Sequence, residues 1–234
     1  MMHNQLPAAV LFDLDGTLID TAPDFHFVIN QLLAEHQRSA ISYDYLRGYV
    51  SNGARAMISA AFQLDENEPG FNNLHKRMLE LYLEHLSVDS KPFPGITDLL
   101  RWLGSKNIPW GIVTNKPELY TTPVMQGLNL QPSASTVICP DHVTEKKPHP
   151  EALLLACQEI FVTPAHCVYV GDHQRDIEAG YRAGMKTIAV SYGYIDEDED
   201  IEAWNSDYLV DHARDIQPIL ENIFKPAFDN SVSN

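Results

Sequence analysis

Short apolar segments bounded by polar or turn residues recur along the chain, and helical patterns lie between several of them. Continuous hydrophobicity over so few residues is typical of strands buried in a parallel sheet. Strands are predicted at 8–12, 110–113, 137–139, 168–170, 187–190 and 208–210, and helices at 96–103, 153–160 and 176–183. This alternation predicts an α/β fold with a doubly wound, Rossmann-like parallel sheet.

The segment between the first two predicted strands breaks the alternation. Apolar residues recur there at helical spacing within 25–36, 57–62 and 71–82, with no strand pattern. Several helices are too many for one crossover connection. We therefore predict an all-helical cap domain at 20–89, inserted into a core domain formed by 1–19 and 90–234. The turn-rich segment 91–95 would return the chain to the core.

Composition narrows the range of partners. The 234 residues are 44% hydrophobic, enough for a packed core, and carry a formal net charge of -16. Such a charge opposes broad attraction to nucleic acid or to an anionic membrane surface. No apolar run approaches the roughly 20 residues that span a bilayer. We predict a cytoplasmic protein without a nucleic-acid or membrane partner; the oligomeric state is left open.

Two carboxylates follow the first predicted strand directly, at Asp13 and Asp15. A carboxylate beside an apolar core needs a cation or hydrogen-bond donors, so such a pair is costly without a purpose. An ordinary Asp-Gly turn is the alternative. In open α/β sheets, however, ligands bind outside the carboxyl ends of the strands, where this turn would lie.

Polar residues also follow the next strand and precede a later helix. Thr114 and Asn115 end the second strand of the predicted core, where a hydroxyl and backbone N–H groups could bind phosphate oxygens. A helix start is the alternative. Lys146 and Lys147 stand just before a predicted helix, whose positive end disfavours them unless an anion docks nearby. A solvated charge pair is the alternative there.

The strand at 168–170 is followed by Asp172 and Asp176, which alone could be an acidic first helical turn. That interpretation does not explain why neighbouring strand ends together carry two acids, a hydroxyl, a lysine and two more acids. This set of side chains is what a magnesium-phosphate site requires.

The four segments resemble the four signatures of the haloacid dehalogenase superfamily of phosphatases, over nearly the whole chain. The resemblance implies that Asp13 is the nucleophile and Asp15 the general acid and base, with catalytic roles for Thr114 and Lys147. It also implies Mg²⁺ as the cofactor. The implied metal ligands are Asp13, the Asp15 carbonyl and Asp172. Asp176 is implied to support the metal through water.

The predicted cap contains a segment similar to the cap loop of phosphoglycolate-phosphatase-like members. Gly53 and Arg55 belong to it, and Arg55 could pair with a substrate carboxylate. A surface arginine on an ordinary helix is the alternative. Gly16, Thr17 and Asn115 complete the candidate substrate-binding residues, and Gly16 would let the chain turn away from the strand so that the cap can cover the site.

These residues predict a magnesium-dependent phosphate-monoester hydrolase for a small carboxylated phosphate ester, acting through an aspartyl phosphate. The first choice of substrate is 2-phosphoglycolate. N-acetylmuramic acid 6-phosphate is the alternative, because the sequence is at least as similar to that phosphatase branch of the same group. A sugar phosphomutase comes next, and a non-catalytic phosphate-binding regulator is the hypothesis from another class. The pair Asp13 and Asp15 argues against such a regulator.

Overall fold

The protein is described by a computed structural model that covers residues 6–196 and 199–224. At its centre is a six-stranded sheet in the order β5-β4-β1-β6-β7-β8, and every neighbouring pair is parallel. The strands of this sheet are β1 (Ala9–Phe12), β4 (Trp110–Val113), β5 (Thr136–Ile138), β6 (Cys167–Gly171), β7 (Lys186–Val190) and β8 (Tyr208–Val210). All of the predicted strands are present, and the doubly wound fold is confirmed.

Helices cover both faces of the sheet. They are α5 (Ile96–Ser105), α6 (Glu118–Leu128), α7 (Glu151–Glu159), α8 (Gln174–Arg182) and α9 (Ile216–Leu220). Short 3₁₀ helices lie at Pro140–His142, Pro164–His166, Ile201–Trp204 and Ala213–Asp215. Successive side chains of a strand point to opposite faces, so β1 supplies Val10 and Phe12 to one hydrophobic cluster and Ala9 and Leu11 to the other. Both clusters are buried, as the continuous apolar pattern of the strand predicts.

A helical segment separates β1 from β4. Its helices are α1 (Ala22–Glu35), α2 (Tyr43–Arg47), α3 (Gly53–Phe62) and α4 (Phe71–Glu84). Their apolar faces pack on one another, with α1 against both α3 and α4. This is the segment that the sequence assigns to a cap, and the division into cap and core at 20–89 stays a prediction. We use the word cap below for α1 to α4.

The two connections between cap and sheet run side by side. Ile19–Asp20 (β2) and Lys91–Pro92 (β3) form a separate antiparallel pair, with Ile19 opposite Pro92 and Asp20 opposite Lys91. The sequence indicated only turns at 91–95, because two residues are too few for strand periodicity to be recognised. The pair fixes where the chain leaves the sheet and where it returns.

Helix starts differ in detail from the sequence patterns. Helix α6 begins at Glu118 after Pro117, so Thr114 and Asn115 stay outside the helix, in the loop at the end of β4.

Within the described ranges, none of the helices is long and apolar enough to cross a membrane.

Candidate active site

The candidate residues gather at the carboxyl edge of the sheet. Asp13 follows β1, Thr114 follows β4 and Asp172 follows β6. Because β1 pairs with both β4 and β6 and all three run parallel, their ends meet at the same edge. The strand order reverses direction at β1, which is where open α/β sheets place their ligand sites.

Three buried carboxylates form a cluster at this edge. Asp13, Asp172 and Asp176 each offer an oxygen, and these oxygens lie within 4.8 Å of one another. Burial, with the neighbouring acids, raises the pKa of Asp13 to about 6, against the lowering effect of Lys147. Burial and the charges of Asp13 and Asp176 raise the pKa of Asp172 to about 7. The cluster therefore concentrates negative charge that a hard cation such as Mg²⁺ would stabilise through oxygen ligands.

Lys147 is buried among these acids. Its Nζ lies 3.0 Å from Asp13 Oδ1 and 2.7 Å from Asp176 Oδ1, and it donates to the Tyr169 hydroxyl at 2.8 Å and the Val113 carbonyl at 2.9 Å. Burial opposes its charge, but the two carboxylates hold the pKa of the ammonium above its usual value. Lys147 is therefore a fixed cation beside Asp13, the predicted nucleophile. Asp176 holds this lysine directly, and a role for it in supporting a metal through water stays a prediction.

Gly16 and Thr17 shape the acidic cluster from the turn after β1. Gly16 has a φ of 83°, and a Cβ at that position would lie 2.1 Å from Asp172 Oδ2. Only glycine fits such a close approach. Thr17 is fully buried, and its hydroxyl donates to Asp172 Oδ1 at 2.9 Å. The structure thus places both of these predicted substrate-binding residues on Asp172. Gly193 also lies against Asp172, and a Cβ there would lie 2.2 Å from the Asp172 Cβ.

Asp15 forms an ion pair with a second buried lysine, Lys116. Its Oδ1 accepts hydrogen bonds from Lys116 Nζ at 2.9 Å and from the Thr21 hydroxyl at 2.6 Å. Lys116 also donates to the Tyr82 hydroxyl at 2.7 Å. Burial opposes the charge of Lys116, yet the carboxylate of Asp15 keeps its pKa above the usual value. Sequence reasoning missed Lys116, and its place in the segment from Thr114 to Pro117 was the available signal.

Thr114 and Asn115 contact the backbone segments that carry the two lysines. The Thr114 hydroxyl accepts the backbone N–H of Lys116 at 3.1 Å, and Asn115 Nδ2 donates to the Lys147 carbonyl at 3.1 Å. Their side chains therefore hold the backbone segments that carry Lys116 and Lys147. The proposed donation from Thr114 to a phosphate stays a prediction.

A cavity of about 490 Å³ lies between the sheet edge and the cap. Core residues on its wall include Asp13, Asp15, Thr114, Asn115, Lys116, Lys146 and Arg175; cap residues include Val50, Ser51, Gly53, Arg55, Glu66, His75, Leu79 and Tyr82. The Ser51 hydroxyl donates to Asp172 Oδ2 at 3.0 Å, and the Arg175 guanidinium donates to the Ser51 carbonyl. The cap thus contacts the acidic cluster directly.

Two arginines on the cavity wall differ in their partners. Arg55 Nε lies 2.6 Å from Glu66 Oε2, and its guanidinium stacks over the Phe71 ring with 4.8 Å to the ring centroid. Arg175, on α8 of the core, makes no ion pair with any residue in the described parts of the chain. The structure brings Gly53 and Arg55 to the same cavity as Asp13, although they lie on the cap side.

The fold and the site define an enzyme that can bind and cleave a phosphate ester: a buried carboxylate beside a fixed lysine, next to an acid and a cluster of metal-binding oxygens. The sequence profile of the haloacid dehalogenase-like hydrolases matches residues 10–190. The chain belongs to this family, and it is a phosphoric monoester hydrolase.

Individual relatives are similar over most of their length. An N-acetylmuramic acid 6-phosphate phosphatase of Pseudomonas putida is 44% identical, over 92% of this chain and 96% of that protein. A phosphoglycolate phosphatase of Xanthomonas campestris is 40% identical, over 88% of this chain and 93% of that protein. The crystal structure of a predicted phosphoglycolate phosphatase from Haemophilus somnus matches with a TM-score of 0.80 and 26% identity, over 94% of this chain and 99% of that chain.

Proposed function

We propose that this protein hydrolyses N-acetylmuramic acid 6-phosphate to the free amino sugar and inorganic phosphate. The 44% identity to phosphatases of that name, in P. putida and in Pseudomonas aeruginosa, carries the proposal. The sequence alone ranks 2-phosphoglycolate first, and that choice is not confirmed by the relatives. We therefore reverse the order of the two substrates.

The size and lining of the cavity support the larger substrate. Its volume is about 490 Å³, and Val50, Leu79 and Tyr120 add apolar surface to its wall. Phosphoglycolate has only two carbons and would leave much of that wall unfilled. An amino sugar with its acetyl and lactyl groups offers apolar surface that the wall could bury.

2-Phosphoglycolate remains the second candidate. The X. campestris relative bears the name of that activity at 40% identity. Both substrates carry a carboxylate, and Arg55 and Arg175 on the cavity wall are cations that could receive it. A carboxylate-binding arginine therefore does not separate the two substrates.

In the proposed mechanism, Asp13 and Lys147 act on the phosphoryl group. A carboxylate that approaches a phosphate dianion meets a repulsion of about 4 kcal/mol per charge pair at 4 Å, with an effective dielectric constant of 20. Two such pairs would slow the reaction by about six powers of ten. The Lys147 ammonium, held 3.0 Å from the Asp13 carboxylate, offsets part of this repulsion.

The acidic cluster fits Mg²⁺ by its chemistry. Asp13, the Asp15 carbonyl and Asp172 are oxygen donors of the kind this ion prefers. Burial and the neighbouring acids raise the pKa of Asp13 and of Asp172 although Lys147 is close, so one ammonium does not balance the three carboxylates. A bound magnesium ion would withdraw negative charge from the phosphate oxygens.

Two half-reactions complete the cycle. In the first, an Asp13 oxygen forms a bond to phosphorus, the ester P–O bond breaks, and the leaving oxygen takes a proton from Asp15. In the second, a water oxygen bonds to phosphorus while Asp15 accepts a proton from that water. The bond between phosphorus and Asp13 then breaks, which releases phosphate and restores both aspartates.

The test is phosphate release by the purified protein with magnesium. The substrates are N-acetylmuramic acid 6-phosphate, 2-phosphoglycolate and simple sugar phosphates, and Asp13→Asn serves as the control. A preference for the muramic acid ester that the variant loses supports the proposal. A preference for 2-phosphoglycolate favours the second candidate, and an isomerised sugar phosphate without free phosphate identifies a mutase.

A further inference from the structure

Lys116 is a buried cation that the proposed reaction does not yet use. Its side chain is only 6% exposed, and it follows β4 at the boundary between sheet and cap. We propose that Lys116 is a positioning residue for Asp15 and that the cap supplies half of the pocket that holds it. The inference rests on the proposed acid and base role of Asp15.

The hydrogen bonds of Asp15 are distributed unequally over its two oxygens. Oδ1 accepts from both Lys116 and Thr21, at 2.9 Å and 2.6 Å. Among residues 6–196 and 199–224, no group hydrogen-bonds to Oδ2. The carboxyl group is therefore anchored through one oxygen, and the other is free to carry the transferred proton on the cavity wall. Such anchoring supplies the orientation that proton transfer requires.

Cap residues hold Lys116 in turn. Its Nζ lies 4.9 Å from the Phe25 ring centroid and 4.8 Å from that of Tyr82, and the two rings stack on each other at 4.1 Å. Phe25 belongs to α1 and Tyr82 to α4. The ammonium lies beside the Phe25 ring and at the hydroxyl edge of Tyr82, where it donates a hydrogen bond, so the cap holds it by packing and by that bond. A displaced cap would remove these contacts, so the orientation of Asp15 depends on the position of the cap.

Lys116 is poorly placed to be a second phosphate-binding cation. Two of its three N–H groups already donate, to Asp15 and to Tyr82, and only 6% of its side chain is exposed where it borders the cavity. Lys147 is the lysine that lies next to the proposed nucleophile, Asp13. The contacts of Lys116 are thus those of a residue that acts through Asp15.

The experiment compares two leaving groups in single-turnover measurements. An alkyl phosphate needs a proton on its leaving oxygen, whereas 4-nitrophenyl phosphate releases a stabilised anion and needs little help. In Lys116→Met, we expect the rate of alkyl ester cleavage to fall by about 100-fold, the lower range for loss of a positioned acid. The first burst of nitrophenolate should stay close to the wild-type rate. Lys106→Met removes an exposed lysine of the same charge and serves as the matched control.

Two further variants make the result decisive. Tyr82→Phe keeps the ring and Lys116 but removes one hydrogen bond, so it should shift the alkyl-to-aryl rate ratio in the same direction by less. If Lys116→Met fails to fold, the rate ratio of Tyr82→Phe tests the inference in its place. Adding Lys116→Met to Asp15→Asn should cause no further loss with the alkyl ester, because both changes remove the same function.

An equal fall with both leaving groups, or independent losses in the double variant, would overturn the inference. Neither probe has to be the natural substrate. A wild-type enzyme that cleaves both probes but not N-acetylmuramic acid 6-phosphate would contradict the proposed substrate, while the rate ratio would still report on Lys116.

Discussion

Two buried lysines each pair with one of the aspartates that follow β1, but different parts of the molecule hold them. Lys147 contacts Asp13, Asp176 and the Val113 carbonyl, all of which lie outside the cap. Lys116 contacts Asp15, which also lies outside the cap, but its other neighbours include Phe25 and Tyr82 of the cap. The lysine beside the predicted nucleophile is therefore held by residues outside the cap, although Ser51 of the cap side reaches Asp172 nearby. The lysine beside the predicted general acid is held by the cap as well.

The largest effect is expected at the phosphoryl end, from Asp13→Asn. Loss of the nucleophile should lower phosphate release by roughly 10⁵-fold or more. The fold should persist, because the change removes a buried carboxylate whose pKa is raised to about 6. Phosphate release and thermal unfolding measure the two quantities. Retained activity would contradict the proposed mechanism.

A smaller loss is expected from Lys147→Met, on the order of 10³-fold in turnover. Since Lys147 acts on the phosphoryl group, alkyl and aryl esters should lose activity equally, in contrast to the unequal loss expected for Lys116→Met. Removing the partner of two buried carboxylates should also lower the free energy of unfolding by about 3 kcal/mol. Denaturant unfolding measures the change in stability, and the rates with the two esters measure the contrast with Lys116→Met. A changed alkyl-to-aryl rate ratio in Lys147→Met would contradict the expected contrast.

The acidic cluster predicts a pH dependence of stability in the absence of metal. Because burial raises the pKa of Asp172 to about 7, the folded state binds its proton more tightly than the unfolded state. The free energy of unfolding should therefore fall as pH rises from 5 to 7.5, by on the order of 3 kcal/mol from this group. Unfolding with a chelator present measures the fall, and Asp172→Asn should flatten it. Added magnesium should restore stability at the higher pH.

The smallest effect concerns the two arginines on the cavity wall. Arg55 of the cap is neutralised by Glu66, whereas Arg175 of the core makes no ion pair within the described parts. Arg175→Gln should raise KM for a carboxylated ester about tenfold, the loss of one charged hydrogen bond, and Arg55→Gln should raise it less. An uncharged sugar phosphate is the control substrate. The opposite order would assign carboxylate binding to the cap.

The sequence predicts the place of a candidate residue in the fold best where that residue adjoins a strand. Asp13, Thr114 and Asp172 each follow an apolar run, and the carboxyl ends of parallel strands lie at the same edge of a sheet. The pairing of Lys116 with Asp15 could not be read in the same way. It requires that β4 lie beside β1, which no local pattern encodes.

Packing details were also beyond sequence reasoning. Tyr82 occupies an apolar position of an amphipathic helix, and nothing in that spacing indicates that its hydroxyl meets a lysine. Thr17 followed the acidic pair and was predicted to bind substrate, but its side chain turns inward to Asp172. The direction in which such a side chain points depends on the tight turn at Gly16 and on the close approach of Gly193. These two residues are far apart in the sequence, yet both lie against Asp172.

The paired strands β2 and β3 bear on how such enzymes diversify. Opposite residues of an antiparallel pair lie only about 5 Å apart, so the exit at Asp20 and the return at Lys91 are neighbours. A segment whose two ends already meet can be exchanged or enlarged with little strain on its host. The helices between these points are thus joined to the sheet at a single place, and their exchange would leave the residues at the sheet edge unchanged. It would also remove Phe25 and Tyr82, the neighbours of Lys116 on those helices.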